Sequence, residues 1–224
     1  MNTRMARLRG RWSDPLLTAL TVLLVIMLFV IAPLQASGLY LLQAFELVFA
    51  IILVAGVFAM SGNRIALVAM VGALAMATAA ALLRIRSPSA LDVNLLAGTW
   101  LIMGITLACV VAPAAFGAGR VTYHHIMGAI LLYLAVALTF IALFTFIGSL
   151  EPKAFTGLVV EDSPALASKL IYFSFATLTT TGYGDIIPVH PLARSLCNLE
   201  SVFGQLYPAT LLARLVTLEI AGRG

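Results

Sequence analysis

The feature that most constrains this chain is how its apolar residues are gathered, in six runs near bilayer length at residues 16–34, 39–60, 65–83, 91–111, 123–147 and 195–220. A helix of about 20 apolar residues crosses the ~30 Å hydrocarbon core of a bilayer. No single soluble core of 224 residues needs so many such runs. With 62% hydrophobic and only 10% charged residues and a mean hydropathy of +1.08, the composition lies far outside the soluble range. An all-α integral membrane protein is expected.

The net charge of +4 does not imply nucleic acid, because the basic residues are scattered and four of them, Arg4, Arg7, Arg9 and Arg11, open the chain. Anionic lipid headgroups are the expected partner. Residues 1–15 read as a cytoplasmic basic leader, and the run at 16–34 is longer than a signal-peptide core. Six spans with both termini inside place Arg64, Arg120, Arg214 and Arg223 with the leader in the cytoplasm. Arg84, Arg86, Lys153, Lys169 and Arg194 then lie outside, which gives the sign that the positive-inside rule requires. The expected location is the cell membrane, multi-pass. Cys109 and Cys197 fall near opposite ends of different helices, too far apart to bridge, and are read as small buried apolar residues.

Within the front half, residues 16–113, Glu46 is the only acid well inside an early span, and such a group is costly unless paired. Arg84 could reach it along the interface, so Glu46 and Arg84 are an expected intramembrane charge pair. Residues 91–111 contain no Lys or Arg. A helix that senses voltage needs such charges, each contributing about 2.3 kcal/mol per 100 mV. Steep voltage gating by that route is not expected. The joint at 112–122 is short and lacks a hydrophobic stripe, so its coupling of front to back is expected to be weak. His124 and His125 beside it read as polar anchors at the inner interface.

The back half, residues 114–224, holds a different kind of segment. Residues 164–178 open with Ser163-Pro164, a helix start. About fifteen residues span only ~22 Å, too little to cross. Non-spanning backbone at membrane depth must be covered by protein or line a water-filled cavity. Directly after it comes Thr179-Thr180-Thr181-Gly182-Tyr183-Gly184-Asp185, a poor helix and a poor strand. Gly182 and Gly184 permit backbone angles that align consecutive carbonyls, and stacked carbonyls can replace the water shell of a cation.

At these residues the sequence resembles the potassium-channel pore signature T-x-G-Y-G-D, in the six-transmembrane bacterial type of that family. The resemblance implies a re-entrant pore helix, a selectivity filter that holds K+ at Thr180, Thr181, Gly182 and Tyr183 with Gly184 above, and Asp185 at the outer mouth. It implies four chains, since one chain supplies one filter. Gly204, nineteen residues after Asp185, matches the glycine on which the inner helix of that family is thought to bend. Pro208 four residues on favours a kink there, so Gly204 and Pro208 are the expected gating hinge.

Two departures bear on filter support. Thr181 stands where the family usually has valine or isoleucine, and its buried hydroxyl needs a partner. Ala176 stands where some members carry an acid behind the filter. Glu200 and Asn198 on the last helix are the candidate supports.

The expected function is a homotetrameric potassium-selective channel that conducts passively, with no cofactor beyond K+ as the permeant ion. The alternatives are a less selective cation channel and a non-conducting membrane accessory or scaffold subunit. No nucleophile, base and acid cluster, phosphate loop or metal-ligand spacing suggests an enzyme. With few residues after Ile220, cytoplasmic regulation is expected from a separate subunit.

Overall fold

The structure is a computed structural model, and it describes residues 3–38, 43–61, 63–86, 89–117 and 122–221. Helix α1 (Thr3–Ile26) widens into a π-helical turn (Met27–Ile31) and closes as α2 (Ala32–Ala36). Pro33 explains the widening, because it offers no N–H to the carbonyl four residues back and its ring crowds that carbonyl. The basic leader is therefore continuous with the first helix from Thr3 onward. Helices α3 (Gln43–Ser61), α4 (Arg64–Arg86) and α5 (Ala90–Ala115) complete the front half.

The back half consists of α6 (Tyr123–Leu150), strand β1 (Phe155–Thr156), α7 (Leu166–Leu178), strand β2 (Ile187–Pro188) and α8 (Pro191–Ala221). The two strands pair antiparallel, Phe155 opposite Pro188 and Thr156 opposite Ile187, and pin the loop before α7 to the segment after residues 179–185. Local chemistry sets two helix starts. Ser89 donates its N–H and hydroxyl to Asp92 Oδ1 at 2.8 and 3.0 Å to open α5. Thr122 and His125, with Oγ1 2.7 Å from Nδ1, open α6 in the same reciprocal way. That contact gives His125 a capping role.

Four segments among the described residues are long and apolar enough to cross a membrane: Pro15–Ala36, Arg64–Arg84, Ala90–Ala115 and Tyr123–Leu150. The other two expected spans differ for identifiable reasons. Helix α8 has 31 residues, ample length, but carries Arg194, Asn198, Glu200, Ser201, Gln205 and Arg214 along it. In α3 the apolar stretch within the described residues is Val48–Phe58. Large apolar side chains stand exposed along α1, α3, α4 and α8, among them Val22, Ile51, Val68, Leu199, Val202 and Leu206. So much exposed apolar surface fits a lipid-facing exterior and not a soluble one.

The core is centred on α6, whose Leu131, Ala135, Ile141 and Phe144 are fully buried. Its most extensive interface is with α5. The expectation of weak coupling rested on the joint alone, yet the two helices meet along their length. A Cβ at Gly104 would press on Thr139 and the Ala135 carbonyl, and one at Gly128 on Ala114 and Ala115. Backbones that approach this closely need small residues at the contact. Both cysteines are free.

Candidate functional site

Helix α7 is thirteen residues long, about 20 Å, and its apolar face holds it in place. Phe173 meets Phe144 of α6 and Phe155 of β1 edge to face, with centroids 4.9 and 5.4 Å apart. Phe175 meets Phe29 of the π turn at 4.8 Å, so the first helix of the chain touches the short helix directly. From the C-terminus of α7 the chain turns into residues 179–185.

These residues alternate in backbone hand. Thr180, Gly182 and Gly184 have φ of +57°, +58° and +83°. Alternating signs turn successive peptide planes to the same side, which is how consecutive carbonyls come to line one surface. The two glycines supply this freely. Thr180 does so against the preference of a β-branched residue, and the strain is held by its surroundings. Its N–H donates to the Thr177 carbonyl at 2.9 Å, and Gln205 Nε2 of α8 donates to its hydroxyl at 2.8 Å. The Gly182 N–H reaches back to the Ala176 carbonyl at 3.1 Å. On its other side the loop is open: residues 179–185 are exposed, and a Cβ at Gly182 or Gly184 would meet nothing within 4 Å.

Tyr183 stacks on Tyr172 of α7, centroids 5.6 Å apart and planes 13° from parallel. Tyr172 donates its hydroxyl to Asp185 Oδ1 at 2.9 Å. Asp185 thus sits at the C-terminal end of the loop with its carboxylate tied to α7.

The wall behind the loop is α8. Glu200 is fully buried, and its Oε1 lies 2.6 Å from Ser174 Oγ on α7. Its Oε2 has no hydrogen-bond partner. The next residue, Ser201, donates to the Thr177 carbonyl at 3.1 Å. Glu200 therefore grips α7 and not Thr181. Thr181 has a different partner from the two expected, since its hydroxyl lies 2.8 Å from that of Thr179. Residues two apart along this alternating backbone fall on the same side, so the neighbour's hydroxyl is nearer than anything on α8. Asn198 is exposed.

Gly204 lies where α8 crosses the end of α7, and a Cβ there would collide with the Leu178 carbonyl oxygen. Glycine is required at 204 by close approach, whatever bending it allows. Pro208 sits inside α8 and withholds an N–H from the carbonyl of Gly204, four residues back.

Below that point Tyr207 bonds the Ala129 carbonyl of α6 at 2.8 Å and stacks between Tyr133 and Phe203. Arg214 donates to the carbonyls of Ala115 and Phe116 at 3.2 and 2.8 Å, and to that of Gly117, with its guanidinium 5.6 Å from the Phe116 ring. The lower end of α8 is thereby fastened to the C-terminus of α5. Sequence reading passed over Arg214 as a topology marker. Its one signal was a cation near a helix end, where free carbonyls wait.

Of the expected Glu46 and Arg84 pair, only the Arg84 side chain is among the described residues. Arg84 binds Asp162 of the outer loop through two contacts, Nη2 to Oδ1 at 2.6 Å and Nε to Oδ2 at 3.1 Å. Burial holds the Asp162 carboxyl above its usual range; Arg84 pulls it down, and neighbouring Asp92 pushes it up. That a bidentate arginine does not lower it reflects the cost of desolvation beside a second carboxyl. No group of three or more His, Cys, Asp or Glu side chains among the described residues could hold a metal ion.

The arrangement is that of a helical membrane protein with a short non-crossing helix, an oxygen-lined loop and a wall helix. Comparison with known proteins agrees at this level. Residues 128–220 match the family model described as ion channel. Over 51 residues the chain is 41% identical to the inward rectifier potassium channel Kirbac3.1 of Paramagnetospirillum magnetotacticum, an alignment covering 22% of this chain and 17% of that relative. No solved structure matches. The family-model match falls on the back half, and both matches support an ion channel.

Proposed function

We propose that the chain is the pore-forming subunit of a homotetrameric potassium channel of six spans per chain, α1–α2, α3, α4, α5, α6 and α8, with α7 re-entrant. It conducts K+ passively and without steep voltage dependence. The observation that carries this reading is the alternation of backbone hand at Thr180, Gly182 and Gly184. It turns the carbonyls of the loop to one side, and carbonyls so aligned are the means by which a dehydrated K+ is coordinated. The resemblance of the T-T-G-Y-G-D stretch to the family's filter and the likeness to a potassium channel support the choice of ion.

The open side of the loop supports the oligomer. Backbone at membrane depth cannot face lipid unpaired, and residues 179–185 are uncovered in a single chain. Further copies around an axis would close the surface and leave an oxygen-lined path. In this reading K+ is held at Thr180, Thr181, Gly182 and Tyr183, with Asp185 at the outer mouth. Glu200 supports the filter through α7, and Gly204 with Pro208 forms the hinge of the inner helix. Both termini lie on the cytoplasmic face of the cell membrane.

A less selective cation pore is favoured by one contact. The Thr181 hydroxyl is satisfied by Thr179 within the loop and so does not brace the loop against α7 or α8. Reconstitution in liposomes tests both readings. K+ flux with a bi-ionic reversal potential strongly favouring K+ over Na+ is expected. A reversal potential near zero favours the weaker selector, and absence of flux with intact, fourfold particles removes the channel.

A further inference from the structure

The front half is not packed shut. A cavity of about 600 Å³ lies between α1, α3, α4, α5, α6 and the start of α7. It exists because α4 presents Ala77, Ala80 and Ala81 to it, side chains too short to meet the helices opposite. The hollow is partly open at its rim, so an occupant can enter from its surroundings. Water cannot fill most of it, since a buried water needs about two to four polar partners and much of the wall is Leu24, Leu28, Met103 and Leu138. Thr99 and Thr145, which also line it, spend their hydroxyls on the backbone carbonyls of Leu95 and Ile141. The occupant needs an apolar body.

One end of the cavity is charged, and unevenly. Arg84, Asp92 and Asp162 all line it. Arg84 is taken up by Asp162 through both contacts. Asp92, 3% exposed, gives one oxygen to Ser89 and lies against the Asp162 carboxyl. Two carboxyls thus face one cation among the described residues. Two carboxyls this close repel unless a proton or a further cation lies between them, so this end of the cavity favours a positive group.

We propose that this cavity binds a hydrophobic amine, a single-tailed amphiphile whose ammonium head sits between Asp92 and Asp162 and whose body lies along α4 and α5. The volume suits a ligand of that class, since small-molecule pockets are commonly about 300–1,000 Å³ with a few polar groups fixing orientation. A two-chained lipid is too large to enter whole. Pro164, Leu166 and Ile171 form part of the wall, so the occupant touches the segment that carries the pore loop. The site does not presuppose conduction.

Trp100 lines the cavity and provides the readout. The chain has two tryptophans, and Trp12→Phe leaves Trp100 alone. The full chain in liposomes is titrated with bromine-tagged alkyl probes of equal length bearing an amine, an alcohol or a carboxylate head. Saturable quenching by the amine is expected, with the other two roughly tenfold weaker or more. Asp92→Asn, which keeps the acceptor for Ser89, should weaken the amine about tenfold and leave the alcohol unchanged. Ala81→Leu should abolish saturable quenching by all three. Equal quenching by the three heads, or an amine affinity indifferent to either substitution, means simple partition into lipid and overturns the proposal. The head-group series with the cavity unmutated decides the matter even where a cavity variant fails to fold.

Discussion

The two halves of this chain solve different packing problems. In the back half, polar side chains are threaded between helices: Ser174 to Glu200, Ser201 to the Thr177 carbonyl, Gln205 to Thr180, Tyr207 to the Ala129 carbonyl. In the front half the interior is mostly apolar around a 600 Å³ hollow, buried threonines bond backbone carbonyls, and the charged contacts gather at one end. Directional bonds fix positions to a fraction of an ångström, whereas greasy contacts fix only proximity. A loop whose oxygens must hold a set spacing requires the first kind. A bundle that only flanks it can manage with the second.

The contrast sets the order in which substitutions should hurt. Gly204→Val has the largest expected effect, because the new side chain must displace the carbonyl at the base of the loop. A loss of about 3 kcal/mol or more is expected, read as a lower thermal midpoint in detergent together with absent flux. Tolerance of valine would show that α8 and α7 are not in fixed contact.

Next is Arg214→Ala. It removes three bonds from a charged donor to the end of α5, and about 2 kcal/mol should be lost. Open probability should change while ion selectivity does not. Arg214→Lys should recover only part, since a lysine cannot fork between carbonyls.

Glu200→Gln follows. The amide still offers Ser174 an acceptor, so stability should change by only about 1 kcal/mol, but open-state lifetime should shift. Selectivity and lifetime both unchanged in single-channel records would remove Glu200 from filter support.

The smallest effects belong to the front rim. A double-mutant cycle of Arg84→Ala and Asp162→Ala should give a coupling below about 1 kcal/mol, as expected for a pair partly open to solvent. It should shrink further in high salt. The Asp162 carboxyl is held above its ordinary value, so the native state binds its proton more tightly than the unfolded chain does. Its contribution to stability is full below the ordinary carboxylate range and is lost as pH rises through the raised value. Thermal scans across that window should therefore show a shallow decline that Asp162→Asn abolishes.

Legibility in the sequence divides along the same line. The loop at residues 179–185 stands out in the sequence because its demands are local: glycines at fixed places, a short helix before and a wall helix after. The match over residues 128–220 falls on that region. The pairing of Arg84 could not be read, because Asp162 lies 78 residues away and no periodicity links them. The hollow was equally hidden, since alanines on α4 look the same whether they admit a neighbouring helix or leave a gap. Glu200 and Arg214 were visible as polar residues on an apolar helix, but their partners, a serine hydroxyl and the carbonyls around residue 116, carry no pattern. The φ of Thr180 shows the opposite lesson, as a β-branched residue takes up a conformation its type disfavours because the loop requires it there.

The close seam between α5 and α6 has a further consequence. Where Gly104 and Gly128 let two backbones nearly touch, the surfaces left by stripping away the front helices would be notches too narrow for an acyl chain to line snugly. Any minimal version reduced to the rear segment, whether by evolution or by grafting behind an unrelated bundle, would first have to rebuild that flank with bulkier side chains.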